Sequence, residues 1–142
     1  MDNFLKENNI KTIKFLHNNS YEYENYIICG TRGWIDSNAE EDVKILKREL
    51  LRLELSLNYG IKRFGENKKK IVLMHYPPFL ENVKEVNFLE KMQEYGTEYC
   101  IYGHIHGKTD EEKKYVEGIN VKFRLVSCDY LKFKLLLIDK GL

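Results

Sequence analysis

The sequence predicts an α/β fold built on a mixed sheet. Three observations carry that expectation. Short apolar runs such as Ile71-Val72-Leu73-Met74 and Tyr99-Cys100-Ile101-Tyr102 stop at a histidine with Pro or Gly close by; this is how buried strands run into loops. A long apolar stripe at helical spacing precedes the first of these runs. Strand-like and helix-like segments then follow in the order β-β-α-β-α-β-β-β, the mark of α/β architecture.

Residues 2–9 read as the tail of a helix. Lys11-Thr12-Ile13-Lys14-Phe15-Leu16 alternates and reads as a strand, and His17-Asn18-Asn19-Ser20 has turn composition. Tyr26-Ile27-Ile28-Cys29-Gly30 reads as a second strand that pairs antiparallel with the first. Gly30 and Gly33 bracket Thr31-Arg32 in a loop. Ser37-Asn38-Ala39-Glu40 fits a capping box, with Ser37 as cap and Glu40 reaching back. Glu40, Glu41 and Asp42 suit the positive end of the helix dipole. Ala39, Val43, Leu46, Leu50, Leu53 and Leu57 form one stripe; a core-facing helix fits it better than a short coiled coil. Gly60 or Gly65 stops that helix.

Lys68-Lys69-Lys70 reads as a solvated basic loop before the first histidine strand. Asn87 to Tyr95 reads as a second helix, with Phe88, Met92 and Tyr95 inward and Gly96 at its end. After the second histidine motif comes an exposed charged loop, Thr109 to Lys114. Val121 to Val126 alternates as a half-exposed strand, and Lys132 to Ile138 reads as a closing strand. No internal repeat or low-complexity segment occurs, and residues 1–142 read as a single domain.

Bulk composition narrows the classes. A hydrophobic content of 43% and an aromatic content of 13% are enough for a packed core in a chain of 142 residues. A net charge of +1 exerts no general pull on nucleic acid or membrane, so neither is an expected partner. The longest apolar runs are too short to span a bilayer, and the N-terminal residues lack the basic and apolar regions of a secretory signal. Cys29, Cys100 and Cys128 form an odd set without C-x-x-C spacing, each in an apolar run. Buried reduced thiols and a cytoplasmic location follow as expectations.

The chemistry concentrates in two motifs, Met74-His75-Tyr76-Pro77-Pro78 and Gly103-His104-Ile105-His106-Gly107. Ligands of open α/β sheets gather at the carboxyl ends of strands, where both motifs lie. A loop can splay His104 and His106 toward two neighbouring ions, and neutral imidazole suits Zn, Mn, Fe or Ni. Gly103 and Gly107 let the backbone turn sharply or approach a ligand closely. Pro77-Pro78 restricts the chain past His75. A lone strand-end histidine is commonly a hydrogen-bonded surface residue; Gly-His-x-His-Gly after a strand is harder to read that way.

These two motifs resemble the last two motifs of the calcineurin-like metallophosphoesterases. Thr31-Arg32-Gly33-Trp34 weakly resembles a segment found between the middle and late motifs of some bacterial predicted phosphohydrolases. The resemblance extends over roughly residues 10 to 140. It implies part of a β-sandwich flanked by helices and a centre of two divalent ions (Mn, Fe or Zn). It also implies that His75 and His104 bind one ion and His106 the other. A phosphoester is the substrate class that goes with it. Arg32 and Tyr76 are candidates for holding a phosphate oxygen.

The chain departs from the family as well. The opening Asp-x-His, Gly-Asp-x-x-Asp and Gly-Asn-His patterns do not occur in it. The sequence therefore reads as the C-terminal portion of the family domain, without the bridging carboxylate, the Asn ligand and the leaving-group histidine. Three imidazoles make a weak, cationic site, so little activity is expected from the chain alone. The second reading is a non-catalytic metal-binding or interaction module that associates through an exposed sheet. Either reading expects a homo-oligomer or a complementing N-terminal segment. A closed zinc site using His17 or a cysteine as fourth ligand has no support in the spacing. A serine hydrolase elbow and a P-loop are absent.

Overall fold

The computed structural model describes residues 2–107 and 114–138. Its elements are α1 (Asp2–Glu7), β1 (Tyr21–Tyr23), β2 (Tyr26–Thr31), α2 (Glu40–Phe64), β3 (Lys69–Met74), α3 (Phe88–Glu94), β4 (Thr97–Tyr102) and β5 (Lys122–Leu125). The fold is α/β with one five-stranded mixed sheet in the order β1-β2-β3-β4-β5. β1 is antiparallel to β2, and β2 through β5 are parallel to their neighbours. Among the described residues no helix is long and apolar enough to cross a membrane.

The strand order explains where the core lies. Parallel crossovers are right-handed, so crossovers that always advance toward the same edge fall on one face. Both helical crossovers do so. Leu46, Leu53 and Leu57 of α2 and Phe88 and Met92 of α3 pack with Ile27, Val72, Cys100 and Phe123 in a single cluster. The opposite face carries a smaller cluster of Tyr26, Ile71 and Tyr99, with half-buried Ile28, Leu73, Ile101 and Ile138 against it. Lys69 and Lys122 extend over the Tyr26 and Tyr99 rings there and bracket Glu98.

Several expectations are corrected. Lys11 to Leu16 is irregular chain, because Tyr21–Tyr23 takes the free edge of β2 through a tight turn with Glu24 at φ 49°. The capping box does not form. Ser37 Oγ accepts from the Ala39 N–H, and α2 begins at Glu40 with Ala39 as an uncapped N-cap. Glu40 pairs forward with Lys44 at 2.6 Å. Ala39 is exposed, whereas Leu46, Leu53 and Leu57 of the stripe are buried and Val43 and Leu50 are half-buried against the core.

Gly65, at φ 97°, ends α2, whereas Gly60 sits inside it against Ile27 and Ser20. Lys69 and Lys70 belong to β3, and buried Lys70 donates to the Glu66 carbonyl at 2.6 Å. Asn87 caps α3 by accepting from the Glu90 N–H. Lys132 to Ile138 is not a strand: Lys132 and Phe133 are consecutive left-handed residues (φ 51° and 56°), which no strand accommodates. The expected charged loop at 109–114 lies outside the described residues except for exposed Lys114.

Candidate metal centre

Parallel β2, β3, β4 and β5 all end on the same side of the sheet, so the loops after them converge. Backbone hydrogen bonds lock these loops together. The Arg32 carbonyl accepts from the N–H groups of both His75 and Tyr76, at 3.1 and 3.0 Å. The His75 carbonyl accepts from the Gly103 N–H at 3.2 Å. Trp34 Nε1 donates to Asp42 at 2.7 Å and pins the loop after β2 to the first turn of α2. The Asp36 carboxylate accepts from the N–H groups of Glu81 and Asn82 and ties that loop to the one after β3.

On this frame His75 Nε2 and His104 Nδ1 face each other at 3.2 Å. The turn that makes this possible falls on His104 itself, which takes φ 72°. A left-handed conformation is uncommon for a residue other than glycine, and such outliers concentrate at functional sites. Gly103 has an ordinary backbone, and a Cβ there would meet the His75 carbonyl only at 3.7 Å. Gly107 does use the glycine conformation, at φ 73°.

The site residues read from the sequence are distributed as follows. Tyr76 stacks beside His104 with ring centres 4.2 Å apart and reaches Trp34 at 5.6 Å. The Arg32 guanidinium lies over the Trp34 ring at 4.3 Å. Partial burial, then the charges of His104, Arg32 and His106, hold the His75 imidazole below its ordinary pKa. Neutral imidazole, the form that binds metal, is thereby favoured.

His106 turns the other way. Its Nδ1 lies 2.9 Å from Asp129 Oδ1, while Asp129 Oδ2 accepts from the Gly107 N–H at 2.8 Å. The Gly107 N–H first, and His106 next, bring the Asp129 carboxyl down to about 2. Asp129 is the residue that the sequence reading missed, and its neighbour Cys128 figures there only as a buried thiol or an unsupported zinc ligand. Their only local signal is a polar Ser127-Cys128-Asp129 step directly after a strand.

The donor atoms of His106, Cys128 and Asp129 lie within 4.8 Å of one another. Cys128 is exposed, against expectation, because it lies in the turn past β5. Cys29 and Cys100 are buried as expected; burial pushes the Cys29 thiol up to about 12 and raises that of Cys100 as well. His17 is exposed and outside both groups.

The fit to divalent ions is therefore uneven. Two imidazole nitrogens on one tetrahedral ion stand roughly 3.3 Å apart, given metal–nitrogen bonds of about 2.0–2.1 Å. The His75–His104 pair is joined by a hydrogen bond, one ring donating and the other accepting, whose 3.2 Å length keeps the two nitrogens close to that spacing. Among the described residues, no third His, Cys, Asp or Glu donor joins that pair to make a ligand group. His106 has a carboxylate and a thiol beside it. Comparison of the chain with protein-family models, with curated proteins and with solved structures finds no match.

Proposed function

We propose that these strand ends carry a divalent-metal centre for phosphoester hydrolysis, within a metallophosphoesterase-like sandwich to which this chain contributes one sheet. The observation that carries the reading is the 3.2 Å approach of His75 Nε2 to His104 Nδ1. The resemblance of the two histidine motifs to the calcineurin-like metallophosphoesterases supports it, and so does the separation of His104 from His106 toward different neighbours.

His75 and His104 hold one ion and His106 the other. Divalent ions supply Lewis acidity toward the phosphoryl group and lower the pKa of water. The chain's own groups bind and orient the substrate. Arg32, steadied on the Trp34 face, offers paired N–H donors to phosphate oxygens. Tyr76 braces the His104 ring, and its hydroxyl is a further donor for a phosphate oxygen. Two neutral imidazoles offset none of a cation's charge, so the His75–His104 position binds weakly until a partner supplies oxygen ligands. A second copy or a complementing N-terminal segment meets that need.

Hydrolysis of a chromogenic phosphodiester with Mn²⁺ tests the reading, with His104→Ala in parallel. Slow Mn-dependent turnover that the substitution abolishes supports it. Turnover indifferent to both Mn²⁺ and His104→Ala overturns it.

Complete absence of turnover favours the second reading, a non-catalytic metal-binding module that self-associates. The observation behind that reading is the half-buried apolar face around Tyr26, Ile71 and Tyr99, whose Ile101 and Ile138 line a groove with exposed Phe133 and Leu135. Light scattering then reports a dimer that Leu135→Lys dissociates; a monomer at all concentrations counts against it.

A further inference from the structure

We propose that His106, Cys128 and Asp129 form a zinc site with a thiolate ligand and one open coordination position. The proposal rests on the metal-binding reading of His106 given above and extends it to two residues outside the histidine motifs. Its basis is the convergence of a nitrogen, a sulfur and an oxygen donor within 4.8 Å.

Topology brings the three together. His106 follows β4, and Cys128 and Asp129 follow β5, its parallel neighbour, so both loops emerge at the same end. Three backbone hydrogen bonds wind the second loop into a tight turn: Leu131 to Ser127, Lys132 to Asp129 and Phe133 to Cys128. The Gly107 N–H fixes the Asp129 carboxylate from the first loop at 2.8 Å. Asp129 Oδ1 stands 2.9 Å from His106 Nδ1, and zinc takes the place of the proton between them while the imidazole keeps its proton on Nε2.

The donor set selects the ion. Zinc takes Cys, His and Asp ligands together, and three protein ligands with an open fourth position are the pattern of reactive zinc sites. Magnesium and calcium prefer all-oxygen cages, and a thiolate discriminates against them. Binding displaces the Cys128 S–H proton to solvent and forms a sulfur–zinc bond, with no change in oxidation state.

Cobalt(II) titration of the reduced 142-residue chain tests the site, because cobalt reports a thiolate ligand by a sulfur-to-metal charge-transfer band in the near ultraviolet. We expect a band that one equivalent of Zn²⁺ bleaches, that Cys128→Ser removes and that His75→Ala leaves in place. Asp129→Asn should weaken Zn²⁺ binding by more than the roughly 10- to 100-fold that loss of an outer hydrogen-bond partner costs. In the unaltered chain, Zn²⁺ but not Mg²⁺ should protect Cys128 from maleimide, a measurement that needs no variant. Absence of the band, or a band that survives Cys128→Ser, overturns the proposal. Failure of phosphodiester hydrolysis leaves the band untouched, so the two readings fall separately.

Discussion

Thr31 Oγ1 donates to Glu49 Oε2 at 2.6 Å and ties the last residue of β2 to the middle of α2. The Glu49 side chain is fully buried, and its other oxygen meets Arg52 at 2.7 Å, with Arg48 beyond at 3.7 Å. A carboxylate so enclosed depends on each of its donors. The next residue, Arg32, offers the carbonyl that holds His75 and Tyr76, so this buried contact supports the site's backbone.

Thr31→Val keeps the shape and the strand preference and removes only the hydroxyl. We expect it to destabilise the chain by about 1–3 kcal/mol in urea unfolding, the cost of a buried acceptor left without its partner. Thr31→Ser, which restores the donor, should recover most of that loss. Equal stability of the Val variant and the parent would show that Arg52 and Arg48 satisfy Glu49 without Thr31.

Gly60→Ala should lower the melting temperature although alanine is the better helix former. The added Cβ falls 2.5 Å from Ile27 Cγ2 and 2.7 Å from Ser20 Oγ. Ile27 is wholly buried and β-branched, with little freedom to withdraw. Overpacking of about 1–3 kcal/mol, toward its upper end here, exceeds the ~1 kcal/mol gained in helix propensity. A rise in melting temperature would mean that α2 can slide away from β2.

His75 should titrate below 6.5 in the metal-free protein when followed by the NMR shift of its ring proton. Its folded pKa lies under the unfolded value, so the native state binds fewer protons in that interval. Stability at this group is therefore complete above the unfolded value and declines as pH falls from there toward the folded pKa. Arg32→Ala removes one of the opposing charges, and the midpoint should move up. A midpoint that stays in place would assign the shift to burial and the neighbouring histidines, without Arg32.

Of the three thiols, Cys128 alone should react with maleimide in the native, metal-free chain, and all three should react in urea. Cys29 and Cys100 are fully buried and Cys128 is exposed. Labelling counted by intact mass settles it: two or three adducts under native conditions would show that the sheet opens readily.

Much of the frame is legible in the residues. The stripe from Val43 to Leu57 and the apolar runs of β2, β3 and β4 show helix and strand periods directly, because their apolar residues are buried or half-buried against the core. Lys11 to Leu16 and Lys132 to Ile138 carry equally good patterns, yet Ile13 is half exposed and Leu135 fully so. Alternation shows which residues could share a face; whether a sheet edge is free to receive them is decided elsewhere. Tyr21–Tyr23 shows the converse, three residues with too little pattern to notice that nonetheless claim the edge of β2.

The candidate site divides the same way. His75 and His104 announce themselves by their place after apolar runs. Asp129 comes 23 residues after His106 and reaches it only because β5 docks beside β4. No local spacing encodes that approach.

The strand order also has a consequence for assembly in time. Because each strand lies next to the one before it in sequence, a chain emerging from its N-terminus always has a ready edge for the next strand. After β1, no strand waits for a later one to become its first neighbour. His75 and His104 can meet once β4 is in place, whereas His106 acquires Asp129 only after β5 has been added. The two donor groups therefore mature in succession, and an interruption before β5 leaves the first formed and the second open.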